Sequence, residues 1–399
     1  MMNYEKLLNQ ELLNIKPSGI RKFFDLAEQM ENVISLGVGE PDFLTPWHVR
    51  RAAVKSLDNG KTRYTANAGL LALRKEICTY TKSHFHLDYD YNSEVVVTVG
   101  GSEGIDLFIR AVTNPGDEII VPEPSFVCYQ PIVRVCGAVP VPLVTKAEDR
   151  FKVTAQALKA AITPKTKAVV LPYPNNPTGA IMERDELEEL AAVLRGTDIL
   201  VISDEIYASL TYEGKEHVSI ASLPDMRERT VVINGFSKAF SMTGWRLGYA
   251  LGPQPIIKQM TKLHQFAIMS APTTSQYAAI DALQHGDEDT EKMKAEYDYR
   301  RRYIVNGFNK MGLHCFNPEG AFYCFPSIQS TGLSSDEFCE RLLKEKNVAV
   351  VPGTAFGASG EGFIRVSYCY SIEHIKTALG RIKDFLGELN HESESMCKD

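Results

Sequence analysis

The chain has 399 residues, 44% of them hydrophobic and 23% charged, past the ~250–300 residues at which single cores stop growing, so two domains are expected. A formal net charge of −7 argues against a dedicated nucleic-acid binder and against docking on an anionic membrane. No apolar run reaches the ~18 residues of a spanning helix, no signal-peptide core opens the sequence, and the eight cysteines lack metal-ligand spacing, so reduced thiols, no metal and a cytoplasmic location are expected.

Residues 4–15 read as a short amphipathic segment ended before Pro17. Ser18 is placed to cap a helix whose Ile20, Phe23, Phe24, Ala27 and Met30 share one face. Residues 33–36 read as a strand running into Gly37-Val38-Gly39-Glu40-Pro41-Asp42. That turn lacks the third glycine of the dinucleotide fingerprint, and Pro41 intrudes, so a nicotinamide site is poorly supported. Helices are expected over 46–57 and 70–85. A strand over 95–99 meets Gly100-Gly101-Ser102-Glu103-Gly104 ahead of an apolar helix over 105–112. Such a turn offers free N–H groups and a positive dipole end to an anion, although a plain βα turn is the commoner meaning. Further strands are expected over 118–121, 138–144, 168–171, 199–203 and 230–233, with helices over 154–162 and 184–195. Strands alternating with helices from about 95 to 251 argue a mostly parallel sheet covered on both faces, with ligands at the strands' C-terminal ends. Helices dominate 255–311. Strands over 320–325, 348–351 and 363–367 read as a smaller α+β domain, and the tail from Glu392 looks frayed.

One stretch stands out chemically. Lys238 follows the 230–233 strand in Asn234-Gly235-Phe236-Ser237-Lys238, with Gly244-Trp245-Arg246 shortly after. Desolvation at a buried strand end lowers the pKa of an amine and makes it nucleophilic toward a carbonyl. An amine, the Ser237 hydroxyl and the Arg246 guanidinium together suit a phosphorylated aldehyde. A Ser-Lys pair by itself would more simply be a solvated loop. Asp204 ends the 199–203 strand, where a helix cap is the plain alternative, and Tyr207 follows by three. Arg365 sits mid-strand between apolar neighbours, an odd place for a solvated cation.

The run from Ser237-Lys238 to Gly244-Trp245-Arg246-Leu247-Gly248-Tyr249 resembles the lysine motif of the class I and II pyridoxal-phosphate-dependent aminotransferases, the aspartate-aminotransferase family of fold type I. Gly39-Glu40-Pro41-Asp42-Phe43, Asn175-Asn176-Pro177-Thr178-Gly179 and Arg365 stand in the family's order, so the resemblance covers nearly the whole chain. It implies an α/β fold: a large domain with a mostly parallel sheet between helices, plus a smaller α+β domain. The expected division is an N-terminal arm with part of the small domain over 1–45, the large cofactor-binding domain over 46–285 and the C-terminal small domain over 286–399. The implied cofactor is pyridoxal 5'-phosphate. Lys238 carries it and moves protons. Asp204 stands at the ring nitrogen, Tyr207 and Asn176 at the phenolic oxygen, and Phe126 on the ring. The phosphate falls to Gly100, Gly101, Ser102, Ser237 and Arg246, with Tyr64 donated across a homodimer interface. Arg365, Asn176 and the Gly39 backbone receive the substrate carboxylate.

The implied activity is ping-pong transfer of an amino group between an amino acid and a 2-oxo acid such as 2-oxoglutarate. The similarity is greatest to archaeal-type aromatic aminotransferases. Aromatic and apolar donors are expected to lead aspartate, because no distal cation is legible. The turn Gly100-Gly101-Ser102-Glu103 also lacks the lysine that some aspartate-preferring relatives carry after the paired glycine, and Glu103 would repel a distal carboxylate if it pointed inward. The alternatives are a carbon–sulfur β-lyase of the same fold and a non-catalytic cofactor-binding regulatory module.

Overall fold

The structure is a computed structural model that describes residues 2–15, 19 and 30–396. The helix expected after Ser18, with Ile20, Phe23, Phe24 and Ala27 on one face, lies outside the described residues. Ahead of it, a 3-10 turn over Tyr4–Lys6 and helix α1 (Gln10–Asn14) bury no residue.

Seven strands form the main sheet: β2 (Val95–Thr98), β3 (Glu118–Glu123), β4 (Val139–Val144), β5 (Thr166–Leu171), β6 (Leu200–Asp204), β7 (Thr230–Gly235) and β8 (Gly248–Leu251), in the order β2-β8-β7-β6-β5-β3-β4. Strand β1 is Ile34–Ser35. Within the sheet β8 runs antiparallel to both neighbours, and the other pairs are parallel. The reversal has a simple cause. The chain between Gly235 and Gly248 holds one 3-10 turn, Thr243–Trp245, and no α-helix, whereas a parallel return usually crosses over through a helix. That short return is the segment that carries Ser237, Lys238 and Arg246.

Alternation along the strands divides the core. Val96, Ile119, Val121, Val170, Ile202, Val231 and Ile233 point to one face, packed by helices α4 (Gly100–Val112) and α8 (Gln254–Ala267). Val95, Val97 and Val232 point to the other, against α2 (Trp47–Asp58), α3 (Leu71–Phe85) and α9 (Thr273–His285). Further along that second face, Ile120, Val169 and Val201 meet α6 (Ala155–Ala161) and α7 (Arg184–Leu194). Strands buried on both faces explain the near-continuous apolar runs in the sequence. Two local differences appear. Helix α4 starts at Gly100, so the glycines form its first turn instead of a turn before it. Helix α5 (Tyr129–Val135) was not expected from the sequence.

The remaining chain packs around helices α10 (Asp287–Lys310), α11 (Ser335–Lys346) and α12 (Ile372–Met396). A small antiparallel sheet runs β11-β12-β9, from Val351–Pro352, Ile364–Ser367 and Tyr323–Cys324, while β10 (Val348–Ala349) pairs in parallel with β1. The strand expected over 348–351 is thus two short pieces in different sheets, and that over 320–325 shrinks to two residues. Of the tail expected to fray from Glu392, the part to Met396 continues α12, and the last three residues lie outside the described residues. The core here takes Tyr297, Phe308, Phe322, Phe338 and Ile375, together with Leu36, Tyr207, Leu210 and Tyr212 from earlier in the chain.

Candidate active site

A cavity of ≈ 480 Å³ opens at the C-terminal ends of the parallel strands. Strand ends β2, β5, β6 and β7 bring Gly101 and Ser102, Asn176, Asp204 and Tyr207, and Ser237 and Lys238 to it. The loop after β3 adds Phe126. The return before β8 adds Arg246, and Gly39, Tyr323 and Arg365 close the opposite wall. Apart from Gly100 and Tyr64, every site residue expected from the sequence lines this space. Gly100 borders it with φ +76°, a backbone region open to glycine, and a Cβ there would meet Arg246 Nη2 at 2.6 Å. Gly39 is required by proximity, because its Cβ would fall 1.8 Å from the Tyr323 hydroxyl oxygen. Tyr64 stands apart. It is 83% exposed and lines a separate surface depression with Arg63 and Pro272.

The amine of Lys238 donates to the Gly39 carbonyl at 2.7 Å and lies 5.5 Å from the centre of the Phe322 ring. Burial lowers its pKa to about 8, as desolvation of a charged form must. Asp204 is also buried, which pushes its carboxyl up. Opposing that, its Oδ2 accepts the Tyr129 hydroxyl at 2.6 Å and its Oδ1 the Ile206 N–H at 3.2 Å. The Tyr207 and Tyr323 hydroxyls share a hydrogen bond at 2.9 Å, and burial raises the Tyr207 phenol well above its ordinary value. Arg365 donates through Nη1 to Asn176 Oδ1 at 3.0 Å and through Nη2 to the Gly37 carbonyl, and its guanidinium stacks 4.5 Å over Tyr323. Its buried Nε has no hydrogen-bond partner among the described residues. Arg246, with φ +49°, is exposed toward the cavity mouth and donates Nη1 to the Thr243 carbonyl at 3.1 Å.

Two points differ from the sequence reading. Glu103 does not point inward. Its carboxylate turns back to the Val99 N–H and to His264 Nδ1, the latter at 2.8 Å. Tyr129, not among the site residues expected above, is the hydroxyl partner of Asp204. It opens helix α5, which was not expected.

The family model for aminotransferase class I and II matches residues 31–382. The chain belongs to the class I and II aminotransferases. A putative aminotransferase of Bacillus subtilis, YugH, is 54% identical over 95% of this chain and 98% of its own. Among solved structures, the aromatic aminotransferase of Pyrococcus horikoshii OT3 superposes with a TM-score of 0.88 at 43% identity, covering 92% of this chain and 99% of that one. The Thermus thermophilus aspartate aminotransferase with maleate gives 0.90 at 38% identity, over 96% and 100%. This aminotransferase is therefore dependent on pyridoxal phosphate. The residues present fit that group: a glycine cradle at a helix N-terminus beside an arginine, an amine of lowered pKa, a buried carboxylate, and an orphaned Arg365 Nε opposite.

Proposed function

We propose the following division of labour for amino-group transfer in this site. Lys238 is the amine that takes the cofactor's aldehyde, and Asp204 is the carboxylate at the ring nitrogen. Tyr207 and Asn176 serve the phenolic oxygen, and Phe126 packs on the ring. Gly100, Gly101, Ser102, Ser237 and Arg246 hold the phosphate. Arg365, with Asn176 and the Gly39 backbone, receives the substrate carboxylate. When bound, pyridoxal phosphate supplies an aldehyde and an electron-withdrawing protonated pyridine. Around it, the Lys238 amine, neutral above about pH 8, accepts the substrate's Cα proton. The Tyr129 and Ile206 bonds favour the charged form of Asp204 and oppose burial, which pushes its carboxyl up. The Arg365 fork offers the bidentate geometry a carboxylate favours. The reading rests on one observation above all: a desolvated amine and a desolvated carboxylate line one cavity with two guanidinium groups. Borohydride reduction of the holoenzyme should fix the cofactor to the peptide containing Lys238. Label on another lysine would end the assignment.

The donors assigned are aromatic and other apolar amino acids, with 2-oxoglutarate as acceptor and aspartate slower. Val38, Ile105, Phe126, Tyr129, Pro172 and Ile206 give the cavity apolar walls, and its cations, Lys238, Arg246 and Arg365, already have tasks. The relative named for aromatic amino acids supports the same preference. The test is kcat/KM for phenylalanine, tyrosine, leucine, alanine and aspartate measured in parallel. Aspartate leading by more than about tenfold, ~1.4 kcal/mol, would overturn it.

A cytoplasmic homodimer completes the proposal, with 1–45 as arm and part of the small domain, 46–285 as the large domain and 286–399 as the small one. The exposed Leu44, Trp47, Phe266, Ile268, Met269 and Tyr64 are large apolar or aromatic side chains that a second copy would cover. Cytoplasmic placement is supported by cysteines that are all free among the described residues, and no described helix is long and apolar enough to cross a membrane. The small-domain assignment of the first segment is supported by the pairing of β1 with β10. A fully active monomer in sedimentation under assay conditions would refute the shared site.

A further inference from the structure

The first turn of α4 contains a carboxylate where an anion site would not be expected to want one. Glu103 is the fourth helical residue, after Gly100, Gly101 and Ser102. Its Oε2 accepts the N–H of Val99, the residue that caps the helix, and its Oε1 meets His264 Nδ1 at 2.8 Å. This is one half of a capping box moved on by one residue. On the same turn the Thr98 hydroxyl donates to the Gly100 carbonyl at 2.9 Å. The strand-to-helix junction is therefore tied on both sides, which leaves the N–H groups of Gly100, Gly101 and Ser102 without intrahelical acceptors. His264 comes from α8, packed along α4. Its side chain is fully buried, and its Nε2 has no partner among the described residues. A buried imidazole with one nitrogen on a carboxylate and the other on nothing is costly unless the remaining bond is worth making.

We propose that Glu103 and His264 form a positioning pair for the phosphate end of the cofactor: the carboxylate fixes Val99 so that the next three N–H groups converge, and the imidazole holds the carboxylate away from the phosphate. The proposal rests on the assignment of the phosphate to Gly100, Gly101, Ser102, Ser237 and Arg246. Neither side chain lines the cavity, so neither touches cofactor or substrate.

The test compares apoprotein affinity for pyridoxal phosphate with that for pyridoxal, which lacks the phosphate, by spectral titration. The ratio of the two affinities reads the phosphate contacts alone. Glu103→Ala should lower that ratio by about tenfold or more, with pyridoxal affinity unchanged. Glu103→Gln, which keeps an acceptor for Val99, should hold it within about threefold of wild type. His264→Leu, which leaves the carboxylate without its support, should lower it by about fivefold. It also serves if Glu103→Ala does not fold. Arg246→Ala is the control for the underlying assignment. If Arg246→Ala lowers the ratio while the Glu103 and His264 variants do not, the pair is only structural and the inference fails. If Arg246→Ala leaves the ratio at the wild-type value, the phosphate assignment itself fails.

Discussion

At the scale of single residues, two groups of shifted acidity set the chemistry. Lys238 has its pKa lowered to about 8, and the neutral amine is the reactive form. The rate of cofactor incorporation into apoprotein should rise about tenfold per unit up to about pH 8 and level off above it. Stopped-flow spectra across pH 6–10 would show this, and a rate still climbing at pH 10 would place the amine in ordinary solvent. Burial pushes the Asp204 carboxyl up, and the Tyr129 hydroxyl bond opposes that rise. Tyr129→Phe removes one hydrogen bond to a charged group, worth about 1.5–3 kcal/mol. We expect kcat to fall at least about tenfold, with the acid limb of its pH profile moved upward as the carboxyl pKa rises. The lysine, the aspartate and Arg365 were legible from sequence because each is a charge set at or in an apolar strand. Tyr129 was not, because nothing local marks which buried hydroxyl will meet a carboxylate 75 residues away in sequence.

At the scale of elements, the strands and the helices beside them announced themselves through apolar runs and caps. The antiparallel sense of β8 did not, since it follows from a connection that forms no α-helix. A second long-range feature joins three helices. His48 on α2 bonds Asp281 on α9 and, at 3.0 Å, Asp289 on α10. Burial would lower the His48 pKa, but the bonds and charges of Asp281 and Asp289 outweigh it and raise the value. A raised folded-state pKa gives stability that is fully present below the ordinary 6.5 and lost as pH rises through the folded value. These side chains are about a third exposed, so solvent keeps the contribution to ~1 kcal/mol or less. His48→Gln should therefore lower the apoprotein's Tm by no more than about 2 °C at pH 6 and leave it unchanged at pH 8.5. Scanning calorimetry at the two pH values decides, and an equal loss at both would mean packing, not charge.

At the scale of the molecule, sequence indicated two lobes but not how far they share an interior. Just after Asp204 the chain leaves the main sheet and buries Tyr207, Leu210 and Tyr212 in the core of the C-terminal lobe. Ala321 N–H donates to the Leu210 carbonyl at 2.9 Å, Tyr212 bonds the Ala321 carbonyl, and Thr211 bridges Gly320. Leu36 enters the same core from the N-terminal side, beside the β1–β10 pair. An excised fragment over 286–399 would lack these four side chains. Each large-to-small loss in a core costs ~2–5 kcal/mol, against the ~5–15 kcal/mol that holds a whole domain. The fragment should show helical far-ultraviolet dichroism without a cooperative melt. A sharp transition in that fragment would show it to be self-sufficient. Interlocking of this kind governs inheritance as well as folding. A recombination breakpoint near residue 286 would join a lobe from one ancestor to a plug from another. Such a chimera survives only if residues 36 and 207–212 travel with the lobe they fill, so in the history of this gene the two halves are expected to have been exchanged together or not at all.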